Sequence, residues 1–236
     1  MLPLILIIIF ICLGAVNLVF FLREKVKNYS VKAVMFKAIA SLFFVAVAAV
    51  SLYVKGHHAL AIFVTLGLFS GVLGDIWLDF KYVFKEHEVV FTYAGFIAFA
   101  LGHACYITGM FLEFFNGQSP LYIILPLVGG LLISVLNLFI AKPMKLDYSG
   151  YKLISFIYGF FLFGMTLTAL SLSIMMSFNS TTLIMMFSGG LLFTISDLIL
   201  SGTYFGKGKE RPVDIITNTV TYYAAQFVIA LALFFI

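Results

Sequence analysis

The sequence predicts an all-α, polytopic membrane protein of eight transmembrane helices, and three observations predict it. The 236 residues are 63% hydrophobic and 10% charged, with a mean hydropathy of +1.15, whereas soluble chains carry about 25% charged residues. Apolar runs approaching or exceeding the roughly 20 residues that cross a bilayer as a helix recur along the whole chain. They are apolar all round, without the alternating segments of about ten residues that a membrane β-barrel needs. No Ser/Pro linker or charge block separates them, so residues 1–236 are read as a single integral membrane domain.

The spans follow from the runs and their polar or turn-forming breaks. The first covers 2–22 and stops at the stretch from Arg23 to Ser30. It lacks a charged leading segment and an A-x-A-like cleavage site, so it is read as a retained span. The second, 31–54, is closed by Lys55-Gly56-His57-His58, and the third, 58–80, by Lys81 to Glu88. The fourth, 89–115, ends at Asn116-Gly117-Gln118-Ser119, and the fifth, 119–141, at Lys142 to Asp147. The sixth, 149–176, ends at Ser177 to Ser180, the seventh, 180–201, at Gly202 to Pro212, and the eighth covers 213–236. Loops this short make neighbouring helices antiparallel. Cys12 and Cys105 each lie inside an apolar run and are read as small buried hydrophobes.

The net charge of +4 concerns orientation, since Lys and Arg fall between the apolar runs, and no nucleic-acid partner is expected. Arg23, Lys25, Lys27, Lys81, Lys85, Lys142, Lys145, Lys207, Lys209 and Arg211 occupy the odd-numbered loops, against Lys55 alone in the even ones. The positive-inside rule then places the odd loops in the cytoplasm and both termini on the far side. The expected location is the plasma membrane of a bacterium or the endoplasmic reticulum of a eukaryote. Nothing in the sequence specifies an oligomeric state.

A charge at helix centre costs about 2.5–3.5 kcal/mol on insertion scales, so each needs a reason. Lys37 in the second span, Asp75 and Asp79 in the third and Asp197 in the seventh qualify. Asp79 is expected to be shallow enough to reach water, as is Glu113 at the outer end of the fourth span. Asp75, Asp197, Lys37, Asn218 and Tyr222 all fall in the cytoplasmic half, with Asn17 and Asn137 near the same end and His103, Tyr106 and Gln226 deeper. Such convergence describes a water-filled pocket open to one side. Gly67, Gly71, Asp75 and Asp79 follow one another at i, i+4 steps, as do Asn218, Tyr222 and Gln226. Helix packing is the favoured reading for the two glycines and chemistry for the aspartates, a buried structural pair with Lys37 being the competing account.

A faint internal similarity suggests a parallel four-plus-four repeat. Gly74-Asp75-Ile76-Trp77-Leu78 resembles Ser196-Asp197-Leu198-Ile199-Leu200 four spans later, and Gly102-His103 follows the first at nearly the distance of Ala225-Gln226 from the second.

The same residues carry a resemblance. Ser70-Gly71-Val72-Leu73-Gly74-Asp75-Ile76-Trp77-Leu78, then Gly95-Phe96 and Phe99 to Tyr106, then Gly189 to Asp197 and Tyr222 to Gln226, together with Lys37, resemble the YhhN membrane-protein family. Its characterised members are lysoplasmalogenases. The resemblance implies a multi-helix hydrolase cleaving the vinyl-ether bond of a lysophospholipid to a fatty aldehyde and glycerophosphoethanolamine or glycerophosphocholine. Lys37, Asp75, His103, Tyr106, Asp197, Tyr223 and Gln226 match family motif positions, while Asp79, Asn218 and Tyr222 rest on depth alone.

The residues suit that chemistry. A vinyl ether resists base and yields to acid: the alkene carbon is protonated, water adds to the oxocarbenium ion, and the hemiacetal collapses. One carboxyl group must hold a proton and another must stay charged to stabilise the cation and activate water. Two aspartates in a low-dielectric pocket can divide those roles. Asp197 is expected as the acid and Asp75 as the stabiliser and water base, since Lys37 holds one carboxylate ionised. His103, Tyr106 and Gln226 would orient water or the glycerol hydroxyl. The lipid chain would lie among apolar helices with its phosphate near Lys37 and the basic loops.

No cofactor is expected. A zinc hydrolase needs several His with Asp, and only His103 lies within a span, His57, His58 and His87 being in loops. The G-x-G-D signature of intramembrane aspartyl proteases is missing, because Val72 stands where its first glycine belongs. The main rival is a proton- or cation-coupled transporter or a lipid-binding membrane protein, whose membrane acids would relay protons or hold a cation.

Overall fold

A computed structural model describes residues 2–27, 30–148, 150–206 and 211–236. They form eight long helices, α1 (Leu2–Lys27), α2 (Val31–Lys55), α3 (Ala59–Val83), α4 (Glu88–Phe114), α5 (Leu121–Ala141), α6 (Lys152–Met175), α7 (Thr181–Phe205) and α8 (Pro212–Ala232). Each of the eight is long and apolar enough to cross a membrane, so the chain is an all-α, multi-pass membrane protein. Of the residues behind the orientation expectation, Lys207 and Lys209 lie outside the described residues.

Local chemistry sets the helix ends. Ser30 Oγ accepts from the Ala33 amide at 3.3 Å, and Ser180 Oγ from the Leu183 amide at 3.3 Å, each satisfying a donor that the first turn leaves open. Pro212 opens α8, where its missing N–H costs nothing. Gly56, at φ 87°, supplies the left-handed residue that ends α2. At the end of the bundle nearest Ala59, Glu113 accepts from the Leu60 amide at 3.3 Å and lies 2.8 Å from His58 Nδ1.

The helices are not equivalent. α2, α3, α4, α6, α7 and α8 close a ring in that order, while α1 packs outside on α2 and α5 outside on α6. Accordingly α1 and α5 bury the least of their surface. Both cysteines meet lipid-facing surroundings rather than a core, Cys12 being exposed and Cys105 half-buried, because the apolar solvent of an outer face is the bilayer. Asn17 does not join the central polar set; it donates to the Leu13 carbonyl of its own helix at 2.9 Å. The order of neighbours around the ring, and the pairing of α1 with α2 and of α5 with α6, recur after a shift of four helices.

Glycine lets the ring close. A Cβ on Gly67 would lie 2.4 Å from the Tyr106 ring and 2.7 Å from the Gly102 carbonyl oxygen, so α3 and α4 touch backbone to backbone there. Gly130 meets Gly164 in the same way between α5 and α6. Interhelical hydrogen bonds add to this, Ser70 Oγ donating to the Ala98 carbonyl at 2.7 Å and Ser134 Oγ to the Phe156 carbonyl at 2.7 Å. Gly67→Ala is therefore expected to cost about 1–3 kcal/mol, read as a lower unfolding midpoint in detergent. An unchanged midpoint would mean that α3 and α4 can part without loss.

Candidate functional site

Charge is gathered at one end of the ring. The i, i+4 spacing puts Asp75 and Asp79 on one face of α3, and two lysines reach them from α1 and α2. Lys37 Nζ is 3.3 Å from Asp75 Oδ1 and 3.4 Å from Asp79 Oδ1, and Lys25 Nζ is 3.4 Å from the same Asp79 oxygen. The result is a row, Lys25–Asp79–Lys37–Asp75, of two positive and two negative charges. Lys37, Asp75 and Asp79 expose 8%, 2% and 1% of their surface, so neutrality within the row is what makes burial tolerable.

This corrects two expectations. Asp79 does not reach water; it lies under Lys25 and Lys37. Lys25 is not a loop residue, because α1 continues past 22 to Lys27 and carries the ammonium to Asp79.

Asp75 is held by three donors from two helices. Ser41 Oγ donates to its Oδ2 at 2.6 Å and Tyr222 OH at 2.8 Å, with Lys37 on Oδ1. Behind them Gln226 donates to Tyr222 OH at 3.0 Å and Tyr106 OH donates to Gln226 Oε1 at 3.2 Å. Tyr223 OH lies 2.8 Å from Ser41 Oγ and donates to the Lys37 carbonyl at 3.1 Å. Gly71 makes room for this relay, since a Cβ there would stand 2.8 Å from Gln226 Nε2. A carboxylate offers about four lone-pair sites, so Asp75 keeps one for a ligand or water.

Asp197 has a different shell. Tyr158 OH of α6 donates to its Oδ2. Among the described residues no cation pairs with it, and Oδ1 has no hydrogen-bond partner. The residue before it, Ser196, is locked to α8: Asn218 Nδ2 donates to the Ser196 carbonyl at 2.8 Å, and Ser196 Oγ donates to the Asn218 carbonyl at 3.1 Å.

The two aspartates face one cavity inside the ring, with about 560 Å³ of space not filled by atoms, part of it at an open mouth. Of the expected residues, Lys37, Asp75, Asp197, Asn218 and Tyr222 line it, joined by Lys25, Tyr158, Ser196, Thr219 and Tyr204 and by apolar side chains including Phe96, Phe99 and Phe193. Tyr106, Tyr223, Gln226 and His103 are not in the lining. The first three reach Asp75 only through its hydrogen-bond partners. His103 is buried among Tyr106, Tyr158 and Phe193, the last with ring centroids 4.7 Å apart, and both ring nitrogens lack a partner among the described residues. His103 thus stands behind the cavity wall, against Tyr158 and Phe193 of the lining.

Lys25, Ser41 and Tyr158 were not anticipated. Lys25 follows the apolar run in a stretch that reads as a loop, and single Ser and Tyr residues within apolar runs give no signal of their own, because spans commonly carry them. Tyr158→Phe would strip Asp197 of its only donor among the described residues. It is expected to lower turnover about tenfold, the value of roughly 1.4 kcal/mol of transition-state stabilisation, with the fold intact by its elution as a single species. Unchanged turnover would make Tyr158 a packing residue only.

A second space lies beside the first, between α5, α6 and α7, with about 520 Å³ not filled by atoms, part of it open to the outside. Phe96, Tyr158, Asp197, Leu200 and Tyr204 belong to both linings. The loop after α5 forms part of its wall: Leu146 forms an antiparallel bridge with Gly206, the Asp147 amide donates to the Phe205 carbonyl at 2.8 Å, and the Tyr148 and Phe205 rings are 4.4 Å apart. Burial pushes the Tyr148 phenol above its ordinary pKa, while hydrogen bonds with Ser201 and Asn137 act the other way.

Residues 32–233 match the profile of the YhhN family. No curated protein matches the chain, and no solved structure does.

Proposed function

The chain belongs to the YhhN family, and from that premise we propose that it is a lysoplasmalogenase, a hydrolase of the vinyl-ether bond of 1-alkenyl-glycerophosphoethanolamine or -choline. The observation that carries this reading is the pair of aspartates on one cavity with opposite surroundings: Asp75 beside an ammonium and two hydroxyl donors, Asp197 beside a neutral phenol. An acid-catalysed hydration needs that asymmetry.

In this mechanism Asp197 holds the proton on Oδ1, the oxygen Tyr158 does not occupy, and delivers it to the alkene carbon. The π electrons form the new C–H bond and the adjacent carbon becomes an oxocarbenium ion. Asp75, charged and fixed by Lys37, faces that cation across the cavity. Its remaining lone pair accepts a proton as water adds, giving a hemiacetal. Collapse breaks the C–O bond to the glycerol, the hemiacetal hydroxyl proton returns to Asp197, and the proton taken by Asp75 passes to the departing glycerol oxygen. The products are the aldehyde and a glycerophosphodiester, and both carboxyl groups recover their starting states.

Purified protein in detergent, incubated with a lysoplasmalogen with and without a chelator, tests the reading through aldehyde release in a coupled dehydrogenase assay. Release that the chelator leaves unchanged is the expected result. Flux of a lysolipid or cation into liposomes with no aldehyde formed would overturn the reading in favour of transport.

A further inference from the structure

We infer that the second cavity is the site of the substrate's hydrocarbon chain, reached sideways from the bilayer, with Asp197 standing where chain and head-group chambers meet. This rests on the vinyl-ether reading and assigns its two halves to two places. The first cavity carries Lys25, Lys37 and Asp75 of the charged row, with Asn218, Thr219 and Tyr222. The second is walled mainly by apolar groups, including Leu162, Phe163 and Leu198. Leu198 is also 50% exposed on the outer face of α7, so the second cavity reaches the surface that lipid covers. Tyr148 and Phe205, in ring contact beside the bridge, form another part of its wall.

The chemistry asks for this junction. The carbon that receives the proton is the second of the alkenyl chain, so everything beyond it is hydrocarbon and everything on the other side is ether oxygen, glycerol and phosphate. An acid serving that carbon must border an apolar space and a polar one. Asp197 and Tyr158 line both. One turn from each, on the same two helices, Thr194 and Ser155 line the second cavity, and both hydroxyls lack a hydrogen-bond partner among the described residues. They can donate to the aldehyde oxygen as the product turns into the chain chamber.

The test has two arms. In a Trp77→Phe background, Phe163→Trp puts the single tryptophan in the second cavity, and a saturated 1-O-alkyl lysophospholipid with a nitroxide on its chain serves as a probe that cannot be hydrolysed. The expected result is saturable quenching relieved by the unlabelled lipid, whereas Leu132→Trp on the lipid-facing side of α5 should show only unsaturable quenching. In the second arm, Thr194→Phe and Ser155→Phe fill the chamber. KM for a long-chain lysoplasmalogen is expected to rise about tenfold or more relative to a four-carbon alkenyl analogue, since each buried methylene is worth roughly 0.8 kcal/mol. Quenching that does not saturate at position 163, or filled variants with the wild-type dependence on chain length, would overturn the inference while wild-type aldehyde release leaves the hydrolase reading standing. No aldehyde from wild type would sink that reading, and the quenching arm would still decide whether a chain occupies the second cavity.

Discussion

Asp197→Asn is expected to lower turnover of a lysoplasmalogen by about 10²–10⁴-fold, the usual worth of a positioned general acid, with little effect on folding. The substitution keeps shape, and an amide oxygen can still accept from Tyr158. What it removes is the proton. Because no cation pairs with Asp197 among the described residues, neutralising it strands no partner, so a loss of activity cannot be charged to a broken ion pair. Single-turnover aldehyde release by the purified variant, compared with wild type at the same protein concentration, measures the effect. Turnover within a factor of a few of wild type would sink Asp197 as the acid and with it the division of roles between the two carboxyl groups.

Lys37→Met is expected to give the largest loss of stability, about 3–5 kcal/mol, as when one partner of a buried ion pair is removed. Lys37 serves two carboxylates at once, at 3.3 and 3.4 Å, and only Asp79 has a second ammonium. Without Lys37 the row keeps one positive charge against two negative ones in a low-dielectric site. Adding Asp75→Asn restores the balance, leaving Lys25–Asp79 as a neutral pair, so the double variant should recover much of the lost stability. Thermal unfolding in detergent of wild type, both single variants and the double variant measures the coupling. Additive losses would mean that the row is a set of independent contacts.

Much of this molecule was legible before its structure. All eight helices fall where apolar runs were bounded by Lys55-Gly56, Asn116-Gly117, Ser177 to Ser180 and their counterparts, because a bilayer leaves a chain of this composition few alternatives to helix. The acids were legible for the same reason. In hydrocarbon a carboxylate is conspicuous, so Asp75 and Asp197 stood out with Lys37, and the i, i+4 stripe from Asn218 through Tyr222 to Gln226 foretold one face of α8. Depth was harder. Asp79 lies one turn nearer the helix end, which in sequence suggests water, but depth along a helix does not say what covers it. That was decided by α1, whose last turns lay in a stretch that looked like a loop.

The sequence by itself determined that this is an eight-helix membrane protein of the YhhN family with a small number of costly polar groups, since each of those facts depends on composition, run length or motif read along one chain. Only the tertiary structure decided which helices neighbour one another in the ring; that α1 and α5 are the two most apolar spans agrees with their outer places, but hydropathy along one helix does not say which helix it packs against. It likewise decided which polar groups line the cavity and which stand behind it. Tyr158 and Asp197 are 39 residues apart, and Ser41 and Tyr223 are 182 apart; such partnerships are made where neighbouring helices of the ring pack together, which no periodicity within a single helix records.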